Sequence, residues 1–179
     1  GACNRYYNLR HNITYNVPKL DLVRVRQHLV FEKYGAALAP ASGQNLPGGN
    51  VKNCRGKIGM NRSFLVNTYY PLYSTFFTEL GVDPVVPDFC SQEGIDQKNA
   101  AFCYPVELSH GFFHSLIETD PPPEYIFLPH FKAVPVSDGN SSSQVCPFVQ
   151  GETFYLNACF RQKLDQLKAK GTQVLRPLL

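Results

Sequence analysis

From Lys57 onward the chain alternates short apolar runs with longer amphipathic ones. Lys57-Ile-Gly-Met opens the first run and predicts a strand leading toward Leu65. Tyr70 to Leu80 reads as a helix, with Pro71 in its first turn and Gly81 after its end, and Val82 to Val86 as a second short strand. Residues 88–101 are polar and predict a loop or a short helix around Gly94. Pro105 to Glu118 sets Val106, Leu108, Phe112, Phe113, Leu116 and Ile117 on a helical face behind a proline that suits a helix N-terminus. After Pro121-Pro-Pro123, Tyr125-Ile-Phe-Leu128 has the character of a buried strand. A polar loop from Ser137 to Ser143 then leads through Cys146-Pro147 to one long helix over Thr153 to Lys170, stopped by Gly171, and a last strand at Val174 and Leu175.

Before Lys57 that rhythm is missing. Residues 1–18 are polar and aromatic without a period. Leu20 to Tyr34 spaces Leu20, Val23, Leu29 and Val30 between charges, which predicts a short amphipathic helix ending at Gly35. Ala39 to Asn50 is a loop on its proline and glycine content. The expected organisation is therefore an irregular leader over 1–56 and one α/β domain over 57–179. Strands alternating with helices imply a three-layer domain, a mostly parallel sheet with helices on both faces. The reactive crevice of such a sheet lies outside the carboxyl ends of its strands. Cys103-Tyr-Pro and Cys146-Pro-Phe both fall just before helices, and so on that edge.

Composition narrows the function classes. An apolar share of 44% over 179 residues supports a folded core, while a net charge of +3 from scattered basic residues gives no footprint for nucleic acid. Thirteen phenylalanines and ten tyrosines without tryptophan are expected to serve packing. There is no apolar window of membrane-spanning length and no signal-peptide pattern, so the expected setting is the cytoplasm, away from membranes. The chain begins Gly-Ala-Cys-Asn without an initiator methionine and is expected to be a piece of a longer protein.

The six cysteines, at 3, 54, 90, 103, 146 and 159, are too sparse for a small disulfide scaffold and form no Cys-x-x-Cys. Three sequon matches, at Asn12, Asn61 and Asn140, leave a secreted, disulfide-stapled binder as an outlying reading. A thiolate at a helix N-terminus is favoured by the macrodipole and free backbone amides, which makes Cys103 and Cys146 suitable ligands or nucleophiles; the alternative is two buried structural thiols. Cys159, among Leu156, Phe160 and Leu164, fits core packing, and Cys3, Cys54 and Cys90 carry no assignment. His110 and His114 share a helix face at i, i+4, but the intervening residues lack the glutamate of a zinc protease, and a satisfied or surface pair is the simpler expectation. Cys103 and His110 are separated by two helical turns, about 10 Å, too far for direct proton transfer. Glu107 and Asp88 are expected to be solvated. Phosphate-binding loops of the P-loop and dinucleotide kinds are missing, so nucleotide binding has no support.

Taken in order, Lys57-Ile-Gly-Met-Asn-Arg-Ser-Phe, Tyr69 to Gly81, Cys103-Tyr-Pro-Val-Glu-Leu-Ser-His-Gly111, Cys146-Pro-Phe-Val-Gln-Gly151 and the closing Gly171-Thr-Gln-Val-Leu-Arg-Pro-Leu resemble the uncharacterised domain of the CoA-enzyme activase proteins. These are relatives of the 2-hydroxyacyl-CoA dehydratases and their activators. The resemblance runs over about residues 57–179 and implies a Rossmann-like fold. It also implies that Cys103 and Cys146 supply cysteine ligands to an iron-sulfur cluster, with a further ligand from another part of the polypeptide. Two cysteines fall short of the four that hold a cubane 4Fe-4S cluster. The ATP-hydrolysing companion domain of the family has no counterpart motif in this chain. The expected function is a redox module for low-potential electron transfer, acting with other domains of the parent protein and with a CoA-thioester dehydratase. The competing expectation is a non-catalytic interaction domain with structural cysteines.

Overall fold

The computed structural model describes residues 4–37, 54–98, 103–136 and 143–179. The loops expected over Ala39 to Asn50 and Ser137 to Ser142, like Cys3 and Asn140, lie outside the described residues. Four strands, β1 (Lys57–Met60), β2 (Asp83–Val85), β3 (Tyr125–Phe127) and β4 (Gln173–Leu175), pair in parallel in the order β2-β1-β3-β4. The order of strands reverses between β1 and β3, and a doubly wound sheet opens its crevice at such a switch point. Each strand is short and falls within a run that the sequence pattern marks as a strand or directly beside it.

Side-chain alternation along the strands builds the layers. Ile58, Met60 and Phe127 point to a face covered by α4 (Val66–Glu79) through Val66, Tyr70 and Phe77. Ile126 and Leu128 point the other way, to α6 (Tyr104–Ile117) and to the pair α8 (Glu152–Cys159) and α9 (Arg161–Ala169). Phe113, Leu116, Leu156 and Leu164 fill that second layer, each almost fully buried, which stabilises the fold by roughly 1.5–3 kcal/mol per side chain. The result is the three-layer, Rossmann-like α/β arrangement.

Three elements differ from the sequence expectation. α4 begins at Val66, so Pro71 sits in the helix interior, where its carbonyl accepts from Thr75 Oγ1 at 2.8 Å and Ser74 Oγ at 3.2 Å. The long helix over Thr153 to Lys170 is two, broken at Phe160 (φ −105°, ψ 25°). The break keeps the Phe160 ring in the core, 5.6 Å from Phe113, while Leu164 and Leu167 still face the same layer. The leader carries two helices that were not expected, α1 (Asn4–Arg10) and α2 (Val17–Leu20), before the helix expected over Leu20 to Tyr34, which is present as α3 (Leu22–Gln27) continuing as a π-helical turn His28–Lys33. Asp21 caps α3 by accepting the Arg24 amide at 2.9 Å.

The leader is tied to the domain by Arg62, just beyond β1. Its guanidinium lies 4.4 Å from the Phe31 ring centre and donates to Gln27 Oε1 at 2.6 Å. Phe31 in turn packs on Tyr70. Among the described residues no helix is long and apolar enough to cross a membrane.

The short helix α5 (Gln92–Asp96) lies against α6 at a contact that only glycine permits. A Cβ on Gly94 would stand 2.4 Å from His114 Cβ, and one on Gly111 would stand 2.3 Å from Cys90 Sγ and 2.8 Å from the Ser91 carbonyl oxygen. Gly111→Ala is therefore expected to cost about 1–3 kcal/mol by overpacking. Urea unfolding checks this, and an unchanged midpoint would refute the close contact.

Candidate functional site

The carboxyl ends of β1 and β3 meet the start of α8 and the middle of α6 around one carboxyl group. Glu152, the first residue of α8, is 2% exposed. Its Oε1 accepts from Ser109 Oγ at 2.7 Å, from Asn61 Nδ2 at 3.1 Å and from Ser63 Oγ. Asn61 and Ser63 follow β1, while Ser109 belongs to α6. Thr153 Oγ1 donates to the Leu128 carbonyl at 3.3 Å, which ties the same turn to the end of β3.

Burial is the dominant influence on Glu152 and raises its pKa, against the lowering effect of its three donors, Ser63, Ser109 and Asn61. The carboxyl thus favours its neutral, protonated form. A carboxylate isolated from water is far costlier than a neutral acid with hydrogen-bond partners.

The two cysteines stand at helix starts. Cys103 is the N-cap of α6, half-buried, and Cys146 is the N-cap of the one-turn helix α7 (Pro147–Gln150), exposed; neither sulfur caps its helix. Cys103 precedes Ser109 by six residues, roughly 9 Å at the α-helical rise, and so projects beyond the sheet edge. The Tyr155 hydroxyl lies within electrostatic reach of both thiols. Its pKa is raised chiefly by burial, then by Glu152, and further by Cys103 and Cys146, while Ser109 lowers it. The hydroxyl oxygen is buried next to Ser109, without a hydrogen bond of good geometry. The Tyr155 ring stacks on His110, with centroids 5.1 Å apart and planes at 10°.

The remaining sequence candidates are placed elsewhere or satisfied. His110 Nδ1 bonds the Val106 carbonyl at 2.8 Å and His114 Nδ1 bonds Ser91 Oγ at 2.9 Å, so the histidine pair is internally satisfied. Burial lowers the His110 pKa, the Val106 bond opposing and Lys98 adding to the shift. Cys90 and Cys159 face the carbonyls of Leu108 and Gln97, and burial pushes both thiols up. The five described cysteines are free thiols. Glu107 pairs with Lys98, and Asp88 is exposed. Among the described residues, no group of three or more His, Cys, Asp or Glu side chains is arranged to hold a metal ion. Cys103 and Cys146 are the sequence candidates for a metal group, and no third donor of that kind joins them among the described residues.

Residues 57–179 match the model of the family described as the CoA enzyme activase uncharacterised domain. The chain belongs to this family. No curated protein and no solved structure matches it. The match covers the whole sheet of the activase-type domain, including both cysteines and the hub.

Sequence pattern alone does not single out Glu152, Ser109 or Tyr155. An acid in the first turn of a helix ordinarily reads as an exposed complement to the dipole. Asn61-Arg62-Ser63 matches a sequon, yet Asn61 is 1% exposed and its amide is committed to the hub. The available signal was the position of Asn61 directly after β1, at the switch point.

The raised pKa of Glu152 has a definite sign in stability. Above the ordinary value of 4.5 the unfolded chain releases a proton that the folded chain retains, so this residue's contribution falls as pH rises until the folded value is passed. His110 acts oppositely, its contribution falling as pH drops through 6.5, because the unfolded chain takes up a proton that the folded one resists. Comparing Glu152→Gln with wild type at each pH cancels the histidine contribution. Wild-type stability is expected to decline relative to the variant as pH rises from 4.5 toward neutrality, read from urea midpoints; a constant difference would contradict the neutral carboxyl.

Proposed function

We propose that this activase-type domain is an iron-sulfur-binding redox module in which Cys103 and Cys146 are two of the cluster ligands. The observation that supports the reading is that Cys103 and Cys146 are free thiols at helix N-termini, before α6 and α7, inside the part of the chain that matches the family. The ligand set is completed by another part of the polypeptide, because no third donor joins them among the described residues. When bound, such a cluster supplies one-electron transfer at low potential.

The chain's own residues have separable roles in this reading. Cys103 and Cys146 bind, each with its sulfur free of capping duty. Ser109, Asn61, Ser63 and Glu152 fix the heights of α6 and α8, and with them the position of Cys103 and Tyr155. The domain would act in the cytoplasm, against other domains of its parent protein and a CoA-thioester dehydratase. The exposed aromatics Tyr104, next to Cys103, and Phe154, next to the hub, also support a second reading as an interaction domain in which the cysteines are structural.

Anaerobic reconstitution of the full-length polypeptide with iron and sulfide separates the two. Serine is a favoured N-cap residue, so Cys103→Ser and Cys146→Ser are expected to fold. Each is expected to lose several-fold in bound iron, acid-labile sulfide and the EPR signal of the reduced cluster. Unchanged iron and sulfide in both variants would leave the interaction reading.

A further inference from the structure

The C-terminal half of α6 and the edge strand β2 enclose a cavity of about 370 Å³, within the range of roughly 300–1,000 Å³ that small-molecule sites occupy. The sheet sets its floor. Val85 pairs in register with Gly59, so the two face the same side, and Leu116 and Pro123 close directly over Gly59. Val85 therefore stands beside α6, on a face where, among the described residues, it joins neither core cluster. Pro87, Phe89 and Pro121 extend the apolar wall.

One polar group is set into that wall without a partner. Ser115 is 9% exposed, and its buried Oγ makes no hydrogen bond. The polar groups around it are already engaged: Thr119 Oγ1 donates to the Ser115 carbonyl at 3.2 Å, Arg62 to the Pro87 carbonyl at 3.4 Å, and Thr172 Oγ1 to the Pro123 carbonyl at 3.0 Å. The prolines bring no N–H of their own. Lys57 and Asp88 stand exposed at the mouth with opposite charges, so the cavity selects no ion of either sign. A buried hydroxyl in an apolar cavity is matched by an apolar body that carries one hydrogen-bonding group.

We propose that this cavity binds a neutral phenol, an aromatic ring bearing one hydroxyl, with the ring against Val85, Leu116 and the prolines and the hydroxyl paired with Ser115 Oγ. A flat, rigid ring suits walls made of proline rings and gives up little conformational freedom on binding. Ser115 lies twelve residues beyond Cys103, roughly 18 Å at the helical rise, so the cavity is independent of the two thiols.

2-Naphthol and naphthalene differ by the hydroxyl alone, and each is titrated at neutral pH into the full-length polypeptide and followed by its fluorescence. Ser115→Ala removes an oxygen that bonds nothing within the fold, and Val85→Lys sets a charge on the cavity floor without removing a member of either core cluster; urea midpoints check that both variants fold. Wild type is expected to bind 2-naphthol roughly fivefold more tightly than naphthalene, the worth of one neutral hydrogen bond. Ser115→Ala is expected to bind the two compounds alike, and Val85→Lys to bind neither. Failure of the wild type to bind 2-naphthol, equal binding of both compounds by the wild type, or a preference for 2-naphthol that survives Ser115→Ala would each overturn the proposal. Undiminished binding by folded Val85→Lys would overturn it as well, by placing the ligand elsewhere.

Discussion

A carboxyl group removed from water governs the geometry of this domain. Glu152 is accepted into the interior because three donors from two separate segments converge on one of its oxygens. Burying the ionised form would be prohibitive without a cation, and no lysine or arginine is among its bonded partners, so the neutral acid is the form the interior tolerates. Losing Ser109 or Asn61 would leave a buried acceptor short of partners, which makes the hub a constraint on where α6 and α8 can sit. With Thr153 bonded to the end of β3, one helical turn registers both helices against the switch point of the sheet.

The cysteines inherit their positions from that registration. Cys103 lies six residues before Ser109, and Cys146 lies six residues before Glu152, so each thiol is one short helical stretch away from a hub residue. Because helices are stiff over that length, fixing the hub fixes the N-terminal end of α6, and Tyr155, from the same turn as Glu152, stacks on His110 of that helix. The glycine contact between α5 and α6 braces the arrangement from the side, and Arg62 draws the leader onto the cluster around α4 that also takes Val145 and Val149.

Much of the fold was legible in the chain. Ile58, Met60 and the run from Tyr125 to Leu128 are apolar on both strand faces because helices cover both sides, and that pattern survives without tertiary information. Cys103 and Cys146 stand at helix starts because each leads directly into a proline within the first turn. The break at Phe160 was not legible: Phe160 continues the apolar period of Leu156 and Leu164, and only packing against Phe113 shows why the backbone must turn there. The helix expected over Leu20 to Tyr34 is present as α3 and its π-helical turn, whereas α1 was missed because Tyr6 and Leu9 remain exposed and no buried face imposes a period on it. The hub was hidden for a different reason. Its members are polar residues from distant segments, and nothing in the sequence states that they share one oxygen.

Whether Glu152 is a protonated acid locked inside the fold is read most directly from its own titration. In protein labelled with carbon-13 at the glutamate side-chain carboxyls, the resonance assigned by its loss in Glu152→Gln is followed as pH rises. This carboxyl is expected to stay in its protonated position as pH rises well above the ordinary value of 4.5. A Glu152 resonance that titrates at or below that ordinary value would contradict the neutral, buried acid on which the geometry of the domain depends.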